Sequence, residues 1–316
     1  MRTNGHVTTV LLLVAVAAVG CSKAGETPQA NAPGSGSATQ VQPVVAPHPI
    51  DAKDEEGLGE DTTPKISGPV SFADAEAAYQ AKKYAEAVTL FERYIERRPG
   101  NAWGHFMLGL SASKAGDSAR AEDAFEKALS IAPTHVASLV NLSRVLIDQK
   151  RMDEALVMLT KAEDLQPRNA DVQRLFGRAY TAQGTTDKAV DAYRHAIALD
   201  ARDAWSMNNL GLLFLEQQHA DAALPLLARA VELRDDVPAF HNNLAMALEH
   251  TGRFRAAAEE YRSALTADPG YAKAQQNLAR VEAVKVVSEE PFDLAATAKD
   301  AVGDPAISGE LTSARR

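Results

Sequence analysis

The 316-residue chain has a single cysteine, Cys21. No disulfide can form within it, so the thiol matters only through its position. Aromatic residues make up just 6% of the composition. Runs of β-branched residues are scarce and alanine is abundant, which favours helix over sheet. Cations are outnumbered, with 33 Lys and Arg against 42 Asp and Glu and a net charge of −9. Without a basic excess the chain cannot neutralise a phosphate backbone, so nucleic acid is not expected as a partner. Signatures of chemistry are missing too. The histidines, at positions 6, 48, 105, 135, 195, 219, 241 and 250, are scattered, with no HExxH and no metal-ligand spacing. There is no GxSxG, no Walker loop and no Rossmann fingerprint after a strand. The expectation is a protein that is not an enzyme and has no catalytic residues, cofactor, metal or small-molecule substrate.

Long hydrophobic runs are also few. Residues 7–20 form one uncharged, mostly apolar stretch after Arg2. It is shorter than the ~20 residues an ordinary spanning helix needs, but it suits the core of a secretory signal. The stretch ends in Ala18-Val19-Gly20-Cys21. Small residues before a cysteine resemble the lipobox of bacterial lipoproteins, although that family prefers leucine where Ala18 stands. The resemblance implies cleavage after residue 20 and diacylation of Cys21, with acyl chains anchoring the protein to a membrane. Simple export by an A-x-A-like site is the alternative reading. Ser22 in place of aspartate implies sorting to the outer membrane, facing the periplasm. Cys21, if acylated, is no nucleophile.

Residues 22–67 contain no Phe, Trp or Tyr. They carry six prolines, the stretch Gly34-Ser35-Gly36-Ser37 and an acidic patch over residues 51–61. Such a segment cannot bury enough apolar surface to offset its ordering entropy, so a disordered tether is expected. Its root-mean-square span would be about 35–40 Å.

Beyond the tether, positions 34 apart repeat. Ala87, Ala121, Ala155, Ala189, Ala223 and Ala257 form one column. Twelve residues before them stand Ala75, Gly109, Ser143, Gly177, Gly211 and Ala245, all small, and the column continues at Ala279. Four residues after each alanine come Phe91, Phe125, Leu159, Tyr193, Leu227 and Tyr261. Small residues let two helix backbones approach, and the bulky residue fills the groove beside them. Gly116, Gly184 and Gly252 sit where a first helix needs a left-handed cap. Pro99, Pro133, Pro167 and Pro269 follow second helices and stop them. Ala201 and Asp235 depart from that pattern, and Pro225 is expected to interrupt the start of one second helix.

These columns resemble the tetratricopeptide repeat, a 34-residue helix–turn–helix. The resemblance implies an all-α, right-handed superhelical solenoid of six repeats (68–101, 102–135, 136–169, 170–203, 204–237 and 238–271) plus a capping helix, 272–287. The expected organisation is a signal peptide at 1–20, a lipidated cysteine and tether at 21–67, a repeat domain at 68–287 and a loosely ordered tail at 288–316.

In that family the first helices line a concave groove for extended or helical partner segments. Carried over column by column, the groove includes Phe72, Phe106, Val140, Arg174, Asn208 and Asn242. Four residues on stand Glu76, Leu110, Arg144, Arg178, Leu212 and Met246, and Trp103 and Trp205 begin their repeats near this face. The stretch 204–217 is apolar on most sides through Leu212, Leu213 and Leu215. Either its neighbours cover it or a partner does. Asn209 and Asn243 fall in the asparagine column of members that clamp a carboxylate, but the lysines of that clamp are missing. His105 and His241 share a column and read as packing residues. The expected function is a membrane-anchored adaptor of the bacterial cell envelope that binds a protein or peptide partner. Its architecture resembles the pilotins of type IV pilus assembly. An adaptor or non-catalytic regulatory subunit for exported cell-wall or outer-membrane assembly enzymes is the alternative.

Overall fold

The computed structural model describes residues 68–286 and 288–303. The expected signal segment, Cys21 and the tether lie outside the described residues, as does the chain after residue 303. Among the described residues there are helices and turns but no strand.

Twelve helices form six pairs. They are α1 (Phe72–Gln80) with α2 (Tyr84–Glu96), α3 (Ala102–Lys114) with α4 (Ser118–Ile131), and α5 (Val136–Asp148) with α6 (Met152–Leu165). They continue as α7 (Ala170–Ala182) with α8 (Thr186–Leu199), α9 (Ala204–Glu216) with α10 (Ala220–Leu233), and α11 (Pro238–His250) with α12 (Phe254–Ala267). Then come α13 (Ala272–Glu282) and α14 (Leu294–Gly303). Each helix of the six pairs packs mainly on its neighbours in sequence, which makes the assembly a solenoid.

One contact recurs in every pair. All six column alanines, from Ala87 to Ala257, and all six bulky residues, from Phe91 to Tyr261, are 0% exposed. The small residue facing the bulky one sets how closely the pair packs. A Cβ built on Gly177 would lie 2.5 Å from the Tyr193 ring, and one on Gly109 or Gly211 would lie 2.6 Å from Phe125 or Leu227. No side chain fits there.

The turn inside each repeat is equally regular. Lys82, Gly116, Lys150, Gly184, Gln218 and Gly252, again 34 apart, all have positive φ, between 59° and 81°. The following N–H reaches back to the carbonyl five residues earlier, as in Asp117 to Ala112 at 2.9 Å and Arg253 to Leu248 at 2.8 Å. This closes the first helix, and in α4 the same residue, Asp117, also caps the second one with its side chain. Glycine marks only three of these turns in the sequence. Two lysines and a glutamine adopt the same backbone because tertiary packing dictates it.

Pro225 does not interrupt α10, which runs through it from Ala220 to Leu233. At its place near the helix start, the missing N–H removes one bond to the first turn, and the ordered turns on either side hold the axis. Nor do α8 and α10 need the repeat-ending proline: they stop at Leu199 and Leu233 with Asp200 and Arg234 as caps.

The expectation of a loosely ordered tail fails for α14. Glu289 receives the N–H groups of Arg255 at 2.8 Å and Ala256 at 3.1 Å, which supplies α12 with the N-cap its own sequence lacks. Asp293 then caps α14 through the N–H of Ala296 at 2.9 Å. The helix lies against α10, with Ala298 and Ala301 buried in the same apolar cluster as Leu224, Ala228 and Val231. At the column of Ala228 the other repeats carry Glu92, Glu126, Thr160, Arg194 and Arg262. Among the second helices this outward position is small and apolar in α10 alone, and that is the helix α14 covers.

Two glycines test these constraints. Gly177→Ala should lower stability by up to about 2 kcal/mol in urea denaturation, because overpacking costs about 1–3 kcal/mol against the ~1 kcal/mol that alanine adds to helix propensity. Gly184→Ala should cost about 1 kcal/mol through the left-handed backbone it would have to adopt. Gly100, where a Cβ meets nothing within 4 Å, is the neutral control.

Candidate functional site

The backbone of each odd-numbered helix from α1 to α13 approaches that of the next odd-numbered one, whereas the even-numbered helices from α2 to α12 stand further apart, with only side chains such as Arg120 and Glu92 at 3.4 Å reaching across. The odd helices therefore form the inner, tighter side of the solenoid. The residues of the expected groove all lie on these odd helices.

Their environments differ along that face. At the α1–α3 end Phe72 meets Phe91 and Tyr94 edge-on, each with ring centroids 5.5 Å apart. Trp103 is 50% exposed and leans on Phe106 and His135, with centroids 5.1 and 5.9 Å away. Leu110 is half-buried one turn further along, while Phe106 and Val140 are buried. Trp205 is half-buried against Phe240.

The middle of the face is basic. Arg144 and Arg174 are half-buried, and Arg178 is only 5% exposed. Arg174 engages Asp171 on its own helix and Asp203, at 3.0 Å, at the start of α9. Asp203 is itself buried and caps α9 through the N–H and hydroxyl of Ser206. Arg178 donates to Asp148 at 2.8 Å, and Arg144 donates to the Asn141 amide oxygen at 2.7 Å. Burial pulls the Arg144 guanidinium below the usual arginine range; Asp171 opposes that, and Arg174 and Arg178 reinforce it. Burial acts on Arg174 too, but Asp203 and Asp171 outweigh it and hold its pKa up.

The α9–α13 end is an amide relay. Asn277 donates to Asn242 at 3.1 Å, Asn242 to Asn243 at 3.3 Å, Asn243 to Asn208 at 2.8 Å, and Asn208 to Asn209 at 3.3 Å. Asn208 and Asn242 are thus buried and partnered, so they join the helices of successive repeats. Met246 is half-buried and takes a weak bond from Asn242 at 3.5 Å. Leu212, Leu213 and Leu215 are also buried among their neighbours, so the apolar excess of α9 is met inside the chain.

The sequence pattern missed several members of this face. Asp148 carries no column signature, whereas Asn141 stands in the asparagine column of Asn209 and Asn243. Two others had one: Asp203 shares the helix-capping column of Asn101 and Asn169, and Asn277 continues the column of Asn209 and Asn243 into α13. Among the described residues no group of three or more His, Cys, Asp or Glu could hold a metal ion. The two column histidines have packing partners. His105 Nε2 lies 3.0 Å from the Pro99 carbonyl, and His241 Nε2 lies 2.9 Å from that of Asp235.

Known proteins share this arrangement. Residues 67–212 match the tetratricopeptide repeat-like domain, and residues 208–272 match the tetratricopeptide repeat. Residues 67–272 form a tetratricopeptide-repeat domain. This scaffold mediates protein–protein interaction and is typically non-catalytic. The peroxisomal targeting signal receptor of Eremothecium gossypii is 23% identical over 217 residues, covering 58% of this chain and 38% of that protein. The tetratricopeptide domain thus spans well under half of that relative's length. Among solved structures, the APC/C hetero-tetramer Cut9-Hcn1 aligns with a TM-score of 0.60 at 17% identity, over 66% of this chain and 41% of that one. A thermophilic tetratricopeptide protein of Thermus thermophilus aligns at 0.51 and 22% identity, over 58% of this chain and 100% of that one. At these identities the likeness is one of fold.

His241 gives the tetratricopeptide domain a pH-dependent joint. Its Nδ1 lies 2.7 Å from a Glu260 carboxylate oxygen and its Nε2 faces a carbonyl, so both ring nitrogens must donate to satisfy both acceptors. Burial disfavours the charge, but Glu260 and the Asp235 carbonyl outweigh it and raise the pKa above 6.5. A raised folded-state pKa adds stability that is fully present below pH 6.5 and is lost as pH climbs through the raised value. The loss in unfolding free energy on His241→Gln should therefore be larger at about pH 5.5 than at about pH 8.5. An equal loss at both would contradict the ion pair.

Proposed function

We propose that this protein is a membrane-anchored, non-catalytic adaptor of a bacterial cell envelope that holds a partner segment on the inner face of its repeats. The observation that carries the binding role is the continuous odd-helix face. Its α1 and α3 carry the partly exposed Phe72, Trp103 and Leu110, and its α5 and α7 carry the arginines. Partly exposed aromatic and leucine side chains next to arginine are the composition of an interface hot spot. The anchor rests on Cys21 and the small residues before it. Acyl chains there would hold the repeats near the membrane, each buried CH₂ contributing about 0.8 kcal/mol.

Two measurements test the two halves. In cells fed a radiolabelled fatty acid, the wild-type chain should take up label and sediment with membranes. Cys21→Ser should do neither, and a labelled Cys21→Ser chain would refute the anchor. For the groove, partner recovery by affinity capture from envelope membranes should fall about ten-fold for Trp103→Ala or Leu110→Glu, the loss expected when a central anchor worth ~1–2 kcal/mol is removed. Val157→Glu, at an exposed position of α6 on the outer layer, should leave recovery unchanged. Equal recovery across the three variants would place binding elsewhere.

A further inference from the structure

The outer side of α10 differs from its counterparts at three positions in line. Ala222, Pro225 and Ala228 follow one another at steps of three along the helix. Each of the other second helices carries charge at one or more of the matching positions, as α2 does with Glu86 and Glu92, α6 with Glu154, and α8 with Lys188, Asp191 and Arg194. A helix side that faces water is ordinarily polar. On α10 it is uncharged, and small side chains at this spacing let a second helix backbone come close.

The helix α14 uses that line only in part. Ala228 is 0% exposed, Pro225 is half-buried and Ala222 stays exposed. From its own side α14 buries Ala298 and Ala301, again three residues apart, with Phe292 and Leu294 half-buried ahead of them. Its attachment is slight. The helix has 10 residues, and an isolated helix shorter than about 12–15 is marginal in water. Asp293 bonds Ala296 and Thr297 within the segment itself. The connection ahead of it is what ties the segment to the repeats, through Glu289 on the N–H groups of Arg255 and Ala256 and through the Val286 carbonyl, which accepts from the Arg255 guanidinium at 3.2 Å. A short element with few buried side chains is the part of a fold that opens locally.

We propose that the outer face of α10 is a second interaction surface, shaped for a helix with alanines three residues apart, and that α14 is its resident occupant, a strap that leaves while the six repeats stay folded. What the surface accepts is read from that occupant. A carboxylate meets the two N–H groups at the start of α12, Phe292 and Leu294 follow, and the alanine pair packs on α10. Release uncovers Ala228 and leaves the N–H groups of Arg255 and Ala256 to water, so the strap also sets how well α12 is capped. The surface lies on even-numbered helices and shares no residue with the inner face.

Two measurements on the full chain test the strap. In a Cys21→Ser background, the thiol of Ala228→Cys should react with a disulfide reagent at least about ten-fold faster than that of Ala230→Cys, because a local opening is populated more than a global one. Ala230 is equally buried but stands two residues on, on the opposite side of the helix, in the column of Ala128, Ala162 and Ala196. It is reached only when the repeats themselves open. In fluorescence anisotropy, a labelled peptide of residues 286–303 should bind the Glu289→Gln chain about ten-fold tighter than wild type, because a strap with a weakened cap competes less well. Glu290→Gln, next in sequence and exposed, should behave as wild type. A peptide carrying Ala298→Glu and Ala301→Glu should bind neither chain. Equal rates for the two thiols would show that α14 leaves only when the repeats unfold, and would overturn the strap. So would peptide binding that is equal in wild type and Glu289→Gln, absent from both, or indifferent to the two alanines.

Discussion

Everything in this solenoid hangs on the contact between a residue with little or no side chain on the first helix and a bulky, wholly buried one on the second. Where Gly177 faces Tyr193, the ring occupies the space a Cβ would need. That fixes how close the two helices come and which face of each points inward. Repeated at Gly109 with Phe125 and Gly211 with Leu227, it gives successive pairs the same internal geometry. Identical pairs then stack with identical neighbours, and the first helices fall on one side. The inner face is a consequence of this contact, not a separate invention.

Charge and polarity are placed on that frame unevenly. Between several repeats, ion pairs and amides join one unit to the next, as Arg280 does with Glu249 and the asparagines do from α9 to α13. These groups are satisfied and read as structure. The arginines of α5 and α7 are not, although Arg144 and Arg178 occupy equivalent positions on their helices. Their Nε atoms are buried without partners, as are those of Arg194 and Arg229 on second helices, a departure from the rule that buried polar groups find partners.

The C-terminal helix shows how one repeat can be specialised without disturbing the rest. Ala228 and its neighbours give α10 an outward face that the other second helices do not have, and α14 covers it with alanines of its own. Glu289 ties the connecting segment to the start of α12 on the way. The end of the solenoid is thereby sealed by α13 along the axis and by α14 on the outside.

How much of this could be read from the sequence follows from where each interaction has its partners. The repeat, its columns and the all-α class are local and periodic, so the spacing of Ala87, Gly109 and Phe125 determines them without coordinates. The turns were half legible: three carry glycine, but Lys82, Lys150 and Gln218 take the same left-handed backbone only because the packed helices leave no alternative. The groove face was legible as columns, yet which of its residues are covered was not. Asn208 and Leu212 share those columns with accessible residues and lose their exposure to neighbours on other helices. The shortage of acceptors around Arg178 was equally hidden, because it depends on which aspartates reach which arginines. Sequence settled the unit and its repetition; tertiary structure decided burial, partnership and the placing of α14, since these are set by long-range contacts that no local period records.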